Sequence, residues 1–122
     1  MRWLAVLLSA ALLGGCAAAQ SLEPLDVDGD QIFRLTWQVS ERGGRPVILG
    51  RIDNVSFYGT SRIQLLVDRL DASGRTVEQR VEWVGFNIRP GDHAFFDVAV
   101  PDRGATYRIR VYAFNRKFGT GN

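Results

Sequence analysis

The side chains able to do covalent or acid–base chemistry are few and scattered. The chain has one histidine, His93, and one cysteine, Cys16. A metal centre or a nucleophile–base pair needs two or more such groups converging, and the spacing supplies no partner for either. His93 follows the turn-forming run Arg89-Pro90-Gly91-Asp92 and reads as a solvated turn histidine. Asp26, Asp28 and Asp30 alternate around Gly29 like the opening of a calcium loop, where a hard cation gathers several oxygens. The twelfth position counted from Asp26 is Trp37, however, where such a loop needs a bidentate Glu. Asp-Gly is also an ordinary turn signal ahead of a strand. Asp26, Asp28 and Asp30 are therefore candidate metal ligands, with a solvated turn as the alternative. Acids such as Asp53 and Asp68 lie on strand faces, a setting that favours solvation or pairing with Arg. Gly43-Gly44 reads as a hairpin turn and not as a phosphate cradle. The expectation is a protein without catalytic residues or cofactor. A hydrolase is the remaining alternative, and it would need a polar cluster gathered in a pocket.

Aromatic residues offer a different kind of chemistry. Phe57 and Tyr58 lie between two strand-like segments, with Arg62 close by in sequence. Phe86, Tyr112, Phe114 and Phe118 fall off the main inward register of their neighbours. Exposed aromatics beside Arg make a contact patch for a sugar or a peptide. Loop aromatics also cap the ends of a core. Phe57, Tyr58 and Arg62 are the candidate binding residues.

The elements that must position these groups begin with a segment unlike the rest. Arg2 supplies a positive charge, Trp3 to Leu13 is almost wholly apolar, and two glycines lead into Cys16. That layout is a secretory signal, and the run is too short to span a bilayer as a helix, which takes about 20 apolar residues. Leu13-Gly14-Gly15-Cys16 resembles the lipobox of bacterial lipoproteins, with Gly14 a less typical small residue. The resemblance implies cleavage between Gly15 and Cys16, lipidation of Cys16, and attachment to a membrane by several acyl chains. Ala17-Ala18-Ala19 offers an ordinary signal-peptide cleavage site as the alternative. Ala at position 17, where Asp would signal retention, implies the outer membrane in the same family pattern, with the body facing the periplasm.

The chain has 15 Lys and Arg against 13 Asp and Glu. Without Arg2 the balance is about +1, so charge makes no case for nucleic acid. The expected division is a signal over 1–15, a lipidated Cys and tether over 16–30, one domain over 31–118 and a tail over 119–122. With Cys16 carrying lipid, that domain is held by its core alone.

Within the domain the period is two. Phe33, Leu35, Trp37 and Val39 alternate with polar residues, and Ile48, Gly50 and Ile52 share one side of the next segment. Ile63, Leu65 and Val67 follow a loop over 54–62, then Val77, Val81 and Trp83 opposite Glu78, Arg80 and Glu82. Phe96, Val98 and Val100 make a fifth strand, and Tyr107, Ile109, Val111 and Ala113 a sixth. No helical stretch follows the signal. Short two-faced strands separated by Gly, Pro and Asp turns predict an all-β antiparallel sandwich.

Gly50-Arg51-Ile52-Asp53-Asn54, Asp71-Ala72-Ser73-Gly74 and Ile88-Arg89-Pro90-Gly91 with Phe96 beyond resemble the FxLYD-type immunoglobulin-like domains of bacterial envelope proteins. The naming motif would fall on Val67, Arg69, Leu70 and Asp71, where only the Asp matches. Thr106 to Asn115 is similar to the penultimate strand of a fibronectin type III module, and Leu35-Thr36-Trp37 to one of its early core strands. Tyr107 stands where immunoglobulin-like sandwiches carry a tyrosine corner. The resemblance implies an immunoglobulin-like sandwich of six to seven strands. A seventh strand would follow residue 115, where the chain is polar and glycine-rich. Either the sandwich closes with six strands or one sheet edge is open, and an open edge invites a partner strand.

The expected function is that of a membrane-anchored envelope lipoprotein acting as a non-catalytic interaction or structural accessory module, with another envelope protein as partner. A glycan- or peptidoglycan-binding module using the loop aromatics is the alternative.

Overall fold

The computed structural model describes residues 21–117. Residues 1–20 and 118–122, which include Gly15, Cys16, Phe118 and the start of the expected tether, lie outside the described residues. One helical turn, α1 (Gly29–Ile32), precedes six strands: β1 (Phe33–Arg42), β2 (Arg45–Asn54), β3 (Gly59–Leu70), β4 (Thr76–Val84), β5 (His93–Ala99) and β6 (Thr106–Lys117). They form two antiparallel three-stranded sheets, ordered β1-β2-β5 and β4-β3-β6. In immunoglobulin lettering these are A-B-E facing C′-C-F, so the chain forms an all-β immunoglobulin-like sandwich of six strands.

The two-residue period explains the packing. Ile48, Ile52, Ala94, Phe96 and Val98 project from the first sheet into Ile63, Leu65, Val67, Ile109 and Val111 of the second. Phe33 and Phe114 close one end edge to face, centroids 5.1 Å apart. At Gly50 the Phe96 ring lies directly on the backbone, where a Cβ would stand 2.1 Å from a ring carbon. Tyr107 completes a tyrosine corner. Its hydroxyl donates to the Asp102 carbonyl at 2.7 Å, holding the β5–β6 turn against β6.

Besides Phe114, which packs in the core and not off the inward register, three features depart from the sequence reading. The first is β4. Pairing Ile63 with Val84 puts Glu82, Arg80 and Glu78 on the core side of the sheet, and turns Val77 and Trp83 outward. β4 is an edge strand, so its inward charges reach the rim. Arg80 donates to the Ala99 carbonyl across the sandwich and pairs with Glu82. Inward charge at an edge discourages sheet-to-sheet association. The second is β3, which starts at Gly59 and not after residue 62. Gly59, Thr60 and Ser61 pair with β6 before a bulge shifts the register.

The third is the segment ahead of β1, expected as a tether followed by a turn. Leu22 exchanges two hydrogen bonds with the Gln79 side chain on β4, and Glu23 pairs with Arg110 on β6. The Leu25 amide then donates to the Tyr112 carbonyl at 2.8 Å, and the Asp26 carboxylate accepts from the Phe114 amide at 3.2 Å. Asp28 pairs with Arg116. Residues 22–28 thus form a strap across the outer face of the β4-β3-β6 sheet, and its end lies along the β6 edge, where a seventh strand would pair. The short α1 turn carries the chain from there into β1.

Beneath the strap lies Asp68, fully buried on the outer face of β3. It accepts from Gln79 at 2.8 Å, from Arg108 at 2.9 Å and from Arg110 at 2.8 Å. The two guanidiniums supply the positive charge that a buried carboxylate requires.

Two stability predictions follow from these contacts. Tyr107→Phe removes both half-buried hydrogen bonds of the hydroxyl, to the Asp102 carbonyl and from the Asp102 amide, with its packing intact, and lowers unfolding free energy by about 1–2 kcal/mol in urea. Asp68→Ala leaves two guanidiniums without their carboxylate. It costs about 2–3 kcal/mol and exposes the strap to proteolysis near Leu22, read by limited digestion with mass spectrometry.

Candidate functional site

The candidate binding residues do not come together. Asn54 is buried and organises the loop that carries two of them. Its amide donates to the Tyr58 carbonyl at 2.7 Å and the Ile88 carbonyl at 3.0 Å. Its Oδ1 accepts from the Ser56 amide and hydroxyl. This small network leaves Phe57 96% exposed at the tip, so Phe57 does not cap the core. Arg116 lies 5.7 Å from the Tyr58 ring centroid, on the β6 side of β3. Arg62 is directed to the opposite flank, where its guanidinium stands 5.7 Å from the ring of Trp83 on β4. The β3 bulge is the cause, because it gives Arg62 a left-handed backbone with φ of 52°. Such a backbone is costly for a residue with a Cβ.

Asp26 and Asp28 hold the strap to β6, and Asp30 is exposed at the start of α1. Among the described residues no three His, Cys, Asp or Glu side chains gather as a metal group. His93 is partly exposed, its Nδ1 3.7 Å from Asp92 and its ring edge-on to Phe95. On the same outer face the Arg51 guanidinium is bonded to Asp53 at 2.9 Å and holds that carboxyl below its ordinary range.

The structure gathers a different set. A cleft of about 500 Å³ runs beside β5, lined by Trp83, Val84, Gly85 and Phe86 on one side and by Phe95, Phe96 and Asp97 on the other. Its size falls within the range of ligand clefts. Trp83, Phe86 and Phe95 are 58%, 65% and 65% exposed, a concentration of aromatic surface unusual for a free face. Arg42 closes the cleft by pairing with Asp97. The outward side of β4 explains why this site escaped sequence reasoning. Trp83 alternates with charged residues as a core residue would, and only pairing with β3 reveals which face is inside. Phe86 was legible as an off-register aromatic, while Phe95 is simply the outward neighbour of core Phe96.

No protein-family model matches the chain, and no curated protein does. Among solved structures, the chain is similar to a DUF1425 family member from Shewanella sp. pv-4. The likeness has a TM-score of 0.44 at 18% identity and covers 74% of this chain and 81% of that one.

A pair of substitutions separates strain from contact at Arg62. Arg62→Gly relieves the left-handed backbone, and its stability stays at the wild-type level or rises by up to about 1 kcal/mol. Arg62→Ala keeps the strain and loses the stack on Trp83, so it falls below wild type by about 0.5–1 kcal/mol. Thermal unfolding of the two variants side by side reads the difference.

Proposed function

We propose that this chain is a membrane-anchored, non-catalytic module of the bacterial envelope. Lipid on Cys16 holds it to the membrane, in the outer membrane with its body in the periplasm, and it acts by binding another protein along the β5 cleft. The observation that carries the reading is the meeting of three exposed aromatic rings with an unpaired strand edge. Aromatic anchors set beside an edge that can accept a strand are what extended-peptide recognition uses. Asp68, Glu23, Asp28 and Asp97 support the same reading, because each is engaged in an ion pair with Arg.

A second reading has its own support. Trp83, Phe86 and Phe95 around the Arg42–Asp97 pair also suit a sugar ring, which stacks on aromatics and bonds to planar polar groups. On that reading the glycan patch lies at the cleft and not at Phe57 and Tyr58.

Two measurements test the proposal. Cys16→Ser moves the protein from the membrane to the soluble fraction. A photo-crosslinking amino acid at Phe86 captures a protein in intact cells, whereas the same group at Val77 captures none. Capture at neither position, together with retention on cell-wall glycan that Trp83→Ala abolishes, sinks the protein reading in favour of the glycan one.

A further inference from the structure

The edge of β5 carries more information than its side chains. Asn54 donates its amide to the Asp92 carbonyl, and the Val100 amide donates to Pro46. With the unbroken β2–β5 register between them, these bonds assign the even residues of β5 to the β2 ladder. The amides and carbonyls of His93, Phe95, Asp97 and Ala99 therefore point away from β2. Two of these eight groups are already occupied. The His93 amide donates to the Asp92 carboxylate at 2.8 Å, and the Ala99 carbonyl accepts from Arg80. Six remain without a strand partner among the described residues: the His93 carbonyl, both groups of Phe95, both groups of Asp97, and the Ala99 amide.

That set is self-complementary about Phe96. Turned through a two-fold axis there, the His93 carbonyl meets the Ala99 amide of a second copy. Phe95 meets Asp97 with donor on acceptor in both directions. All six groups are satisfied, and the two already capped fall opposite one another. We infer that β5 pairs antiparallel with β5 of a second copy of this chain, joining two β1-β2-β5 sheets into one of six strands. The inference rests on the reading of the cleft as a protein-contact site and names its occupant. A two-fold interface demands this kind of matched patch.

Side chains select the same register. Each Asp97 is already neutralised by its own Arg42, and each lies opposite a Phe95, with the two Phe95 rings at diagonal positions that aromatics bridge. Slipping two residues one way sets Asp97 against Asp97. Slipping the other way sets the Asp97 carbonyl against the His93 amide that Asp92 holds. Trp83 and Phe86 flank the joined edges.

The test uses full-length protein in the membranes of cells that make it. Two differently tagged copies are co-expressed, one with Phe95→Cys and one with Asp97→Cys, and treated with a short bismaleimide. The expected result is a covalent dimer carrying both tags, with Val77→Cys paired with itself at least tenfold lower. Asp97→Pro removes one outward donor and leaves the β2 ladder intact. It lowers dimer recovery at least tenfold in the crosslinkable background of His93→Cys in one copy and Ala99→Cys in the other, which lie opposite in this register, with the β-sheet circular dichroism of the purified variant unchanged. Phe95→Lys, assayed by detergent sedimentation, serves as the second variant should the proline unfold the chain, and a dimer that survives it overturns the inference. No mixed dimer, together with photo-capture of another protein at Phe86, overturns self-pairing and leaves the contact-site reading standing. No crosslink of either kind overturns both. Equal crosslinking at Val77 shows crowding and overturns the inference.

Discussion

Much of this structure depends on the Asp68 carboxylate, buried on the outward side of a strand. A charge placed there must be met by charge, and Arg108 and Arg110 meet it from β6. Gln79 bridges from β4 and carries Leu22 with it. The strap is therefore tied to all three strands of its sheet through one acid and its partners. Its far end then lies along β6 and supplies some of the bonds a seventh strand would have made. That arrangement bears on the edges of its own sheet, while in the other sheet β1 and β5 are both edge strands. β6 is partly covered by strap, β4 is armed with inward charge, and β5 keeps six backbone groups uncovered between two side-chain caps.

The architecture was largely legible before any coordinates, for a physical reason. The runs Phe33–Val39 and Tyr107–Ala113 alternate because each covers one side of a core, and a half-buried strand leaves that signature locally. The same holds for the tyrosine corner, whose hydrogen bond spans only five residues. Strand β4 was misread because both of its faces are plausible. Val77, Val81 and Trp83 form an apolar row, and the charged row opposite looks like the wet side. Which row faces inward is decided by pairing with β3, a long-range fact with no local trace.

The strap and the cleft were illegible for related reasons. Residues 22–28 have no period, so nothing in them distinguishes a docked segment from a loose one. Their docking is written elsewhere, in Asp68, Gln79 and the arginines of β6. Asp26 and Asp28 drew attention as oxygen ligands, and they do act as acceptors, but for the Phe114 amide and for Arg116. The aromatic patch was sought at Phe57 and Tyr58 because they are neighbours in sequence. The rings that gather in space, Trp83, Phe86 and Phe95, come from two sheets and the loop between them.

The strap has one further effect, on distance. With lipid at Cys16, six peptide units separate the anchor from Leu22, and fully extended they reach about 20 Å. On the proposed anchoring, a leash that short would keep the body beside the bilayer, where copies drift in a plane and not through a volume. Confinement of this kind raises the frequency of sideways encounters with no added contact area. A contact too weak to be seen in dilute solution could then still be made on the membrane.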